Sequence, residues 1–255
     1  MTLAKNSLTT SERIKQEVSK FKPKSVIDLG CGFFPHLPIW CHKSGIEYLG
    51  VDINPDHIKM MRENYARGYW EGKQITLVLA DVLEPLSLIE QADVVVSVDL
   101  IQYLRTQKKQ FLQIAAGVAR RGLVIASGNV AIPLPKPTLK WQEQYHEIQM
   151  LFYEYARGMD SSAGELGIFT NTLREVFSDD QISIQTYGLR QWSKEECLVG
   201  LDMLIEWEKN GLIPSPKTID FLNKKIRKKI HKGYAPPAPT AIIGTIDLLS
   251  KRRRK

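Results

Sequence analysis

Five apolar runs, each too continuous to leave a solvent-facing side, alternate with helix-like segments through the first half of this chain. They are "SVIDLG" (25–30), "YLGVDI" (48–53), "ITLVLAD" (75–81), "ADVVVSVDL" (92–100) and "GLVIASG" (122–128). A strand with one wet face alternates apolar and polar residues, whereas a strand without alternation is buried on both faces. Helices must then cover both faces, and helical crossovers make successive strands parallel. The spacing therefore predicts an α/β fold with a doubly wound, mostly parallel sheet. Two later runs, "ISIQTYG" (182–188) and "AIIGTIDLL" (241–249), bring the count to seven strands, the last returning antiparallel.

The segments between the runs carry helix punctuation. Thr9-Thr10-Ser11-Glu12 reads as a capping box for a helix to about Phe21, closed by Pro23. Asn54 as N-cap, Pro55 at the first helical position and Asp56 in the first turn open a helix that closes at Gly68. Thr106 is a candidate cap for a helix through "QFLQIAAGVARR" to Gly122. A helix near "TNTLREVF" precedes strand six. The 255 residues, 43% hydrophobic, suit a single domain. No apolar stretch approaches the ~18 residues of a membrane span, and the polar N-terminus has no signal-peptide core. Cys31, Cys41 and Cys197 lack metal-site spacing and are odd in number. The expected setting is a reduced cytoplasm.

The first run leads into "VIDLGCGFFP" (Val26 to Pro35), a strand entering a glycine-rich turn. Such turns let backbone N–H groups approach a nucleotide closely. A dinucleotide fingerprint has a small residue at its sixth position, which here is Pro35. S-adenosylmethionine fits at more points. Asp28 precedes the turn, where a carboxylate can hold the ammonium of a methionine moiety. Asp52 ends the second strand, placed for ribose hydroxyls. Asp81 ends the third, followed by Val82, placed for an adenine ring and its amino group. Acids at the C-terminal ends of three successive strands line one crevice.

These segments resemble the class I S-adenosylmethionine-dependent methyltransferases. "DLGCG" is similar to that family's first motif, "GVDINP" to its acidic second-strand motif and "LADV" to its third-strand motif. "SVDLIQYL" resembles the segment that borders the transferred methyl group. The resemblance covers Lys24 to Gly128, with the last two strands matching by topology. It implies a Rossmann-like methyltransferase fold with S-adenosyl-L-methionine held by Asp28, Gly30, Cys31, Gly32, Asp52, Ile53, Asp81, Val82 and Asp99. The departure is Phe34, where the family has a third glycine. Either the loop is degenerate, or the next helix starts later, with Pro38 near its first turn. The three retained acids favour the later start.

Segments that leave the C-terminal edge of a parallel sheet cover the crevice, so the helical insertions at about 129–169 and 189–240 should form lids over the acceptor. In the first, Trp141, Tyr145, Ile148, Phe152 and Tyr155 make one helical face, the usual signature of packing. His146 lies on another face and is the candidate base. Tyr103, after strand four, is the candidate for orienting an acceptor. Some small-RNA 3′-end methyltransferases carry a metal-binding Glu-x-x-Glu-His segment after strand four. The corresponding Asp99, Gln102 and Tyr103 do not preserve that ligand set, so no metal is expected.

Charge separates two acceptor classes. Residues 217–255 hold 12 Lys/Arg against Asp220 and Asp247, while the rest holds 23 bases against 26 acids. The stretch "KTIDFLNKKIRKKIHKG" is a basic amphipathic helix within the second insertion, and "KRRRK" a basic tail. The leading expectation is methyl transfer to a small-molecule metabolite. The first alternative is an RNA acceptor bound through the basic C-terminal region. The second is a non-catalytic cofactor-binding module.

Overall fold

In a computed structural model of the chain, the residues described are 10–33, 36–64, 75–84, 89–130, 166–188, 224–225, 227–232 and 240–250, with 198, 201, 202, 205 and 209 individually. The central strands are β1 (Ser25–Leu29), β2 (Glu47–Asp52), β3 (Ile75–Leu79), β4 (Ala92–Val98) and β5 (Ala119–Val130). β6 (Ile182–Gly188) and β7 (Thr240–Asp247) complete the sheet. The described helices are α1 (Thr10–Ser19), α2 (His36–Lys43), α3 (Pro55–Asn64), α4 (Lys108–Val118), α5 (Leu166–Arg174) and α6 (Arg227–His231).

The seven strands lie in the order β3-β2-β1-β4-β5-β7-β6, the first five parallel and β7 antiparallel to both neighbours. This is the doubly wound, mostly parallel sheet expected from the unbroken apolar runs. One core layer joins Ile27, Leu29, Val95, Leu123 and Ile246 to Phe111 and Leu112 of α4 and Phe169 and Leu173 of α5. The other joins Val26, Tyr48, Val94, Val96 and Val124 to Ile14 and Val18 of α1 and Leu37 and Cys41 of α2. Chain order reverses between β1 and β4, so a crevice opens beyond their C-terminal ends.

Local chemistry sets the boundaries. Asn54 Oδ1 accepts from Asp56 N at 2.9 Å, the cap read from the sequence. Thr106, by contrast, sits inside a 3₁₀ turn, Arg105–Gln107, and α4 starts at Lys108 without a side-chain cap bond. β5 also begins earlier than the run "GLVIASG" suggests, because Arg120 and Arg121 are strand residues rather than the end of a helix. Arg120 Nη2 donates to Gln91 O. Arg121 Nη1 donates to Phe21 O at 3.1 Å, and Arg121 Nε lies 3.4 Å from buried Asp93. Asp93 also accepts from Lys24 N at 2.7 Å, so this end of the sheet is closed by an ionic knot.

α2 starts at His36 with Pro38 in its first turn, the later helix start anticipated above. β5 runs to Val130 and α5 starts at Leu166. The helix expected to contain Trp141, His146 and Tyr155 falls outside the described residues, as do Phe34, the tail 251–255 and most of 189–240. Within that second stretch Leu201, Ile205 and Ile230 are buried, and Arg227 pairs with Asp202. Among the described residues no helix is long and apolar enough to cross a membrane.

Gly122 and Gly117 give opposite expectations for the same substitution. A Cβ at Gly122 would stand 2.4 Å from the Phe21 ring and 2.6 Å from Ile246 O, whereas one at Gly117 meets nothing within 4 Å. Gly122→Ala should cost about 2 kcal/mol or more, because a strand backbone must shift. Gly117→Ala in α4 should stabilise by roughly 0.5–1 kcal/mol. Denaturant unfolding of both variants checks the pair.

Candidate active site

β1 ends at Leu29 and the chain turns sharply through two glycines in the left-handed region, Gly30 at φ 75° and Gly32 at φ 59°. A side chain at either position would be strained. At Gly30 it would also meet the Leu100 side chain at 3.0–3.2 Å, since the segment after β4 presses onto this turn. The turn is moored to β2: Gly30 N and Cys31 N donate to Val51 O at 2.8 and 3.1 Å. Asp52, at the end of β2, completes the mooring. Its Oδ2 accepts from Gly32 N and its Oδ1 from Asn54 N, each at 2.8 Å. His57 Nδ1 stands 3.4 Å from Asp52 Oδ1, and the His57 ring lies 5.2 Å from that of Phe33.

Asp28 is set differently from the other acids. Its side chain is 5% exposed, on the same sheet face as Val26 and Tyr48, and Tyr48 Oη donates to its Oδ2 at 2.8 Å. Its Oδ1 is buried without a hydrogen-bond partner. Burial pushes the carboxyl from 3.8 up to about 7; the Tyr48 bond opposes this rise and the charge of Asp52 adds to it. Burial likewise pushes the Cys31 thiol upward and the Cys41 thiol to about 12. Both cysteines are free, and such thiols stay protonated and unreactive at neutral pH.

The third and fourth strands deliver their residues to the same edge. Ala80 N donates to Asp52 O at 3.1 Å, which binds the exit of β3 to the end of β2. Asp81 Oδ1 accepts from Leu83 N at 2.9 Å, and Val82 is buried in the core. Ile53 is 65% exposed, an apolar surface beside Asp52. Asp99 adopts φ 58°, rare for a residue with a side chain. Its N donates to Ala126 O at 2.9 Å, and its Oδ1 accepts from Gln102 Nε2 at 3.4 Å. Gln102 is buried and also bonds Ser127 of β5. Tyr103, next in sequence, projects outward at 43% exposure.

The structure thus brings Asp28, Gly30, Cys31, Gly32, Asp52, Ile53, Asp81, Val82 and Asp99 to neighbouring strand ends, with Tyr103 on the loop after β4. Tyr48, His57 and Ser127 escaped the sequence reading, and Gln102 entered it only as a position that does not preserve a metal ligand. The Asn-Pro-Asp-His order at the start of α3 was a signal for His57, one helical step past Asp52. For Tyr48 and Ser127 the signal is strand register, which no single segment carries.

A methyltransferase domain model matches residues 26–122. The tRNA U34 carboxymethyltransferase of Vibrio vulnificus is 25% identical over 148 residues, 56% of this chain and 43% of that protein. The chain therefore spans less than half the length of this curated relative. Among solved structures, a SAM dependent methyltransferase from Archaeoglobus fulgidus aligns with TM-score 0.52 at 21% identity, covering 92% of each chain. The Haemonchus contortus phosphoethanolamine N-methyltransferase 2, solved with S-adenosyl-L-methionine, aligns with TM-score 0.53 at 16% identity, covering 92% of this chain and 52% of that one.

The Asp28 carboxyl gives a stability prediction with a definite sign. Its folded value is raised, so between about 4 and 7 the folded chain holds a proton that the unfolded chain has released. Stability from this group is therefore full below pH 4 and declines as pH rises to 7. Asp28→Asn, which never ionises, should be more stable than the parent at pH 8, by at most roughly 3–4 kcal/mol. The difference should vanish near pH 4. Thermal unfolding across that range measures it.

Proposed function

Because the chain is built as a class I S-adenosylmethionine-dependent methyltransferase, we propose that it transfers a methyl group to a small-molecule acceptor. The observation that supports the methyltransferase part of this reading is the convergence of the glycine turn and Asp52 at the reversal point of the sheet. The fit of the cofactor rests on Asp28. A buried carboxylate oxygen without a partner costs free energy unless a ligand donates to it, and the ammonium of an amino-acid moiety is a matching donor.

Bound there, S-adenosyl-L-methionine supplies a methyl group on a sulfonium, already activated for in-line displacement. The residues of the chain have the simpler tasks of holding and orienting. Asp52 spends one lone pair of each oxygen on Gly32 N and Asn54 N and keeps the others for a ribose diol. Gly30 and Gly32 allow close backbone approach. Asp81 with the backbone of Val82 would meet the adenine edge, and exposed Ile53 its face. Asp99, held by Gln102, would help to hold the cofactor from the loop after β4. Tyr103 would orient the acceptor, and His146 would serve as base where the acceptor atom carries a proton.

Calorimetry with S-adenosylhomocysteine tests the site. Micromolar binding by the parent, weakened at least ten-fold by Asp52→Ala with unchanged fold, is the expected result. Absence of binding overturns the proposal.

A second reading makes the acceptor RNA. It is supported by the tRNA-modifying relative and by exposed Lys224, Lys225, Lys228 and Lys232 on and beside α6. Under it, RNA affinity falls steeply with salt, and replacing Lys224, Lys225, Lys228 and Lys229 by Glu abolishes binding. Affinity unchanged in that variant eliminates the basic stretch as the RNA contact.

A further inference from the structure

Asp28 lies under the glycine turn, and one hydrogen bond fixes how it faces. In the parallel register Val26 pairs with Tyr48 and Asp28 with Gly50, so the side chains of 28 and 48 stand on one sheet face. At Gly50 no side chain comes between them. A Cβ there would meet Cys31 Sγ at 3.0 Å and the Tyr48 ring at 3.1 Å. Gly50 therefore leaves the room in which the buried phenol reaches Asp28 Oδ2 at 2.8 Å. The second oxygen, Oδ1, stays buried and unpartnered. Of the titratable groups around Asp28, Tyr48 and Asp52 from β2 act on it, while its own charge acts on the thiols of Cys31 from the turn and Cys41 from α2. Lys15 of α1 acts on Cys41, and β4 contributes the apolar Val96 opposite Asp28. Tyr48 is thus the donor that this surrounding offers to the carboxylate.

We propose that Tyr48 is a positioning residue of the cofactor site: by holding Oδ2 it leaves Oδ1 as the one free acceptor for the ligand's ammonium and sets how tightly that end is gripped. The inference rests on the methyltransferase reading above. An ammonium pairs with a carboxylate, not with a carboxylic acid, so binding at low pH must expel the proton of Asp28. The phenol favours the ionised form by donating to it. Without the phenol, Asp28 keeps its proton to higher pH, and the grip weakens most where the proton is still bound.

The test is calorimetric titration of the full chain with S-adenosylhomocysteine from pH 5.5 to 8.5. The parent, Tyr48→Phe and Asp28→Asn are compared, each checked for folding by circular dichroism. In the parent, affinity should climb through about pH 7, the range in which Asp28 ionises. In Tyr48→Phe the climb should move up by about one pH unit, which makes binding roughly five-fold weaker at pH 7 and about ten-fold weaker near pH 5.5, with the gap closing toward pH 8.5. Asp28→Asn should bind weakly with no climb.

Equal loss at every pH in Tyr48→Phe marks a merely structural role and overturns the inference, as does an unshifted climb. Binding by the parent with a flat profile overturns it too, while leaving the methyltransferase reading intact. No binding at any pH overturns both. If Tyr48→Phe does not fold, carboxyl ¹³C NMR of the parent decides. The Asp28 resonance should report an ionised group at pH 6 only with ligand bound; identical titrations with and without ligand refute the proposal.

Discussion

Asp52 ties the candidate site together by accepting from backbone amides of two different loops. Gly32 N belongs to the turn after β1, and Asn54 N to the entry of α3. With Val51 O receiving Gly30 N and Cys31 N, the end of β2 fixes the path of the glycine turn. Charge-assisted bonds of this kind are stronger than neutral ones, and they add to the bonds from Val51 O in holding a turn with two left-handed glycines. Leu100 closes the other side by packing where a Gly30 side chain would be. The turn is therefore shaped by β2 and by the segment after β4, the two elements that flank β1 in the sheet.

That arrangement follows from strand order. With β1 between β2 and β4, the loops on its two sides diverge to opposite faces, and the gap between them lies at the C-terminal edge. Three acids arrive there in different states. Asp52 and Asp81 are bonded by backbone amides. Asp28 is driven toward neutrality by burial and steadied by one phenol. Similar side chains at equivalent strand ends thus have unlike surroundings, because one is buried beside Tyr48 and the others accept from loop amides.

The loop after β4 is the second rigid part. A left-handed Asp99 would be costly on its own, yet it is bonded through its amide to Ala126 and through its carboxylate to Gln102. Gln102 also reaches Ser127, which ties the loop after β4 to β5. Exposed Tyr103 stands on this supported loop. Strain distributed in this manner persists only where the surroundings over-determine it, and here it lies beside the expected reacting centre.

Much of this was legible in single segments. Unbroken apolar runs announced strands buried on both faces, and their number and spacing announced the doubly wound sheet. Glycines and acids at strand ends marked the crevice, because each depends only on its neighbours in sequence. What depended on register was not legible. Arg120 and Arg121 read as the end of a helix, but partners from distant segments draw them into β5. Tyr48 read as one more apolar strand residue, and only the pairing of Asp28 with Gly50 brings its hydroxyl to the carboxylate. Local composition determined which elements form and where they end. The tertiary structure decided which polar groups share a buried space, since that is a property of pairs far apart in the chain.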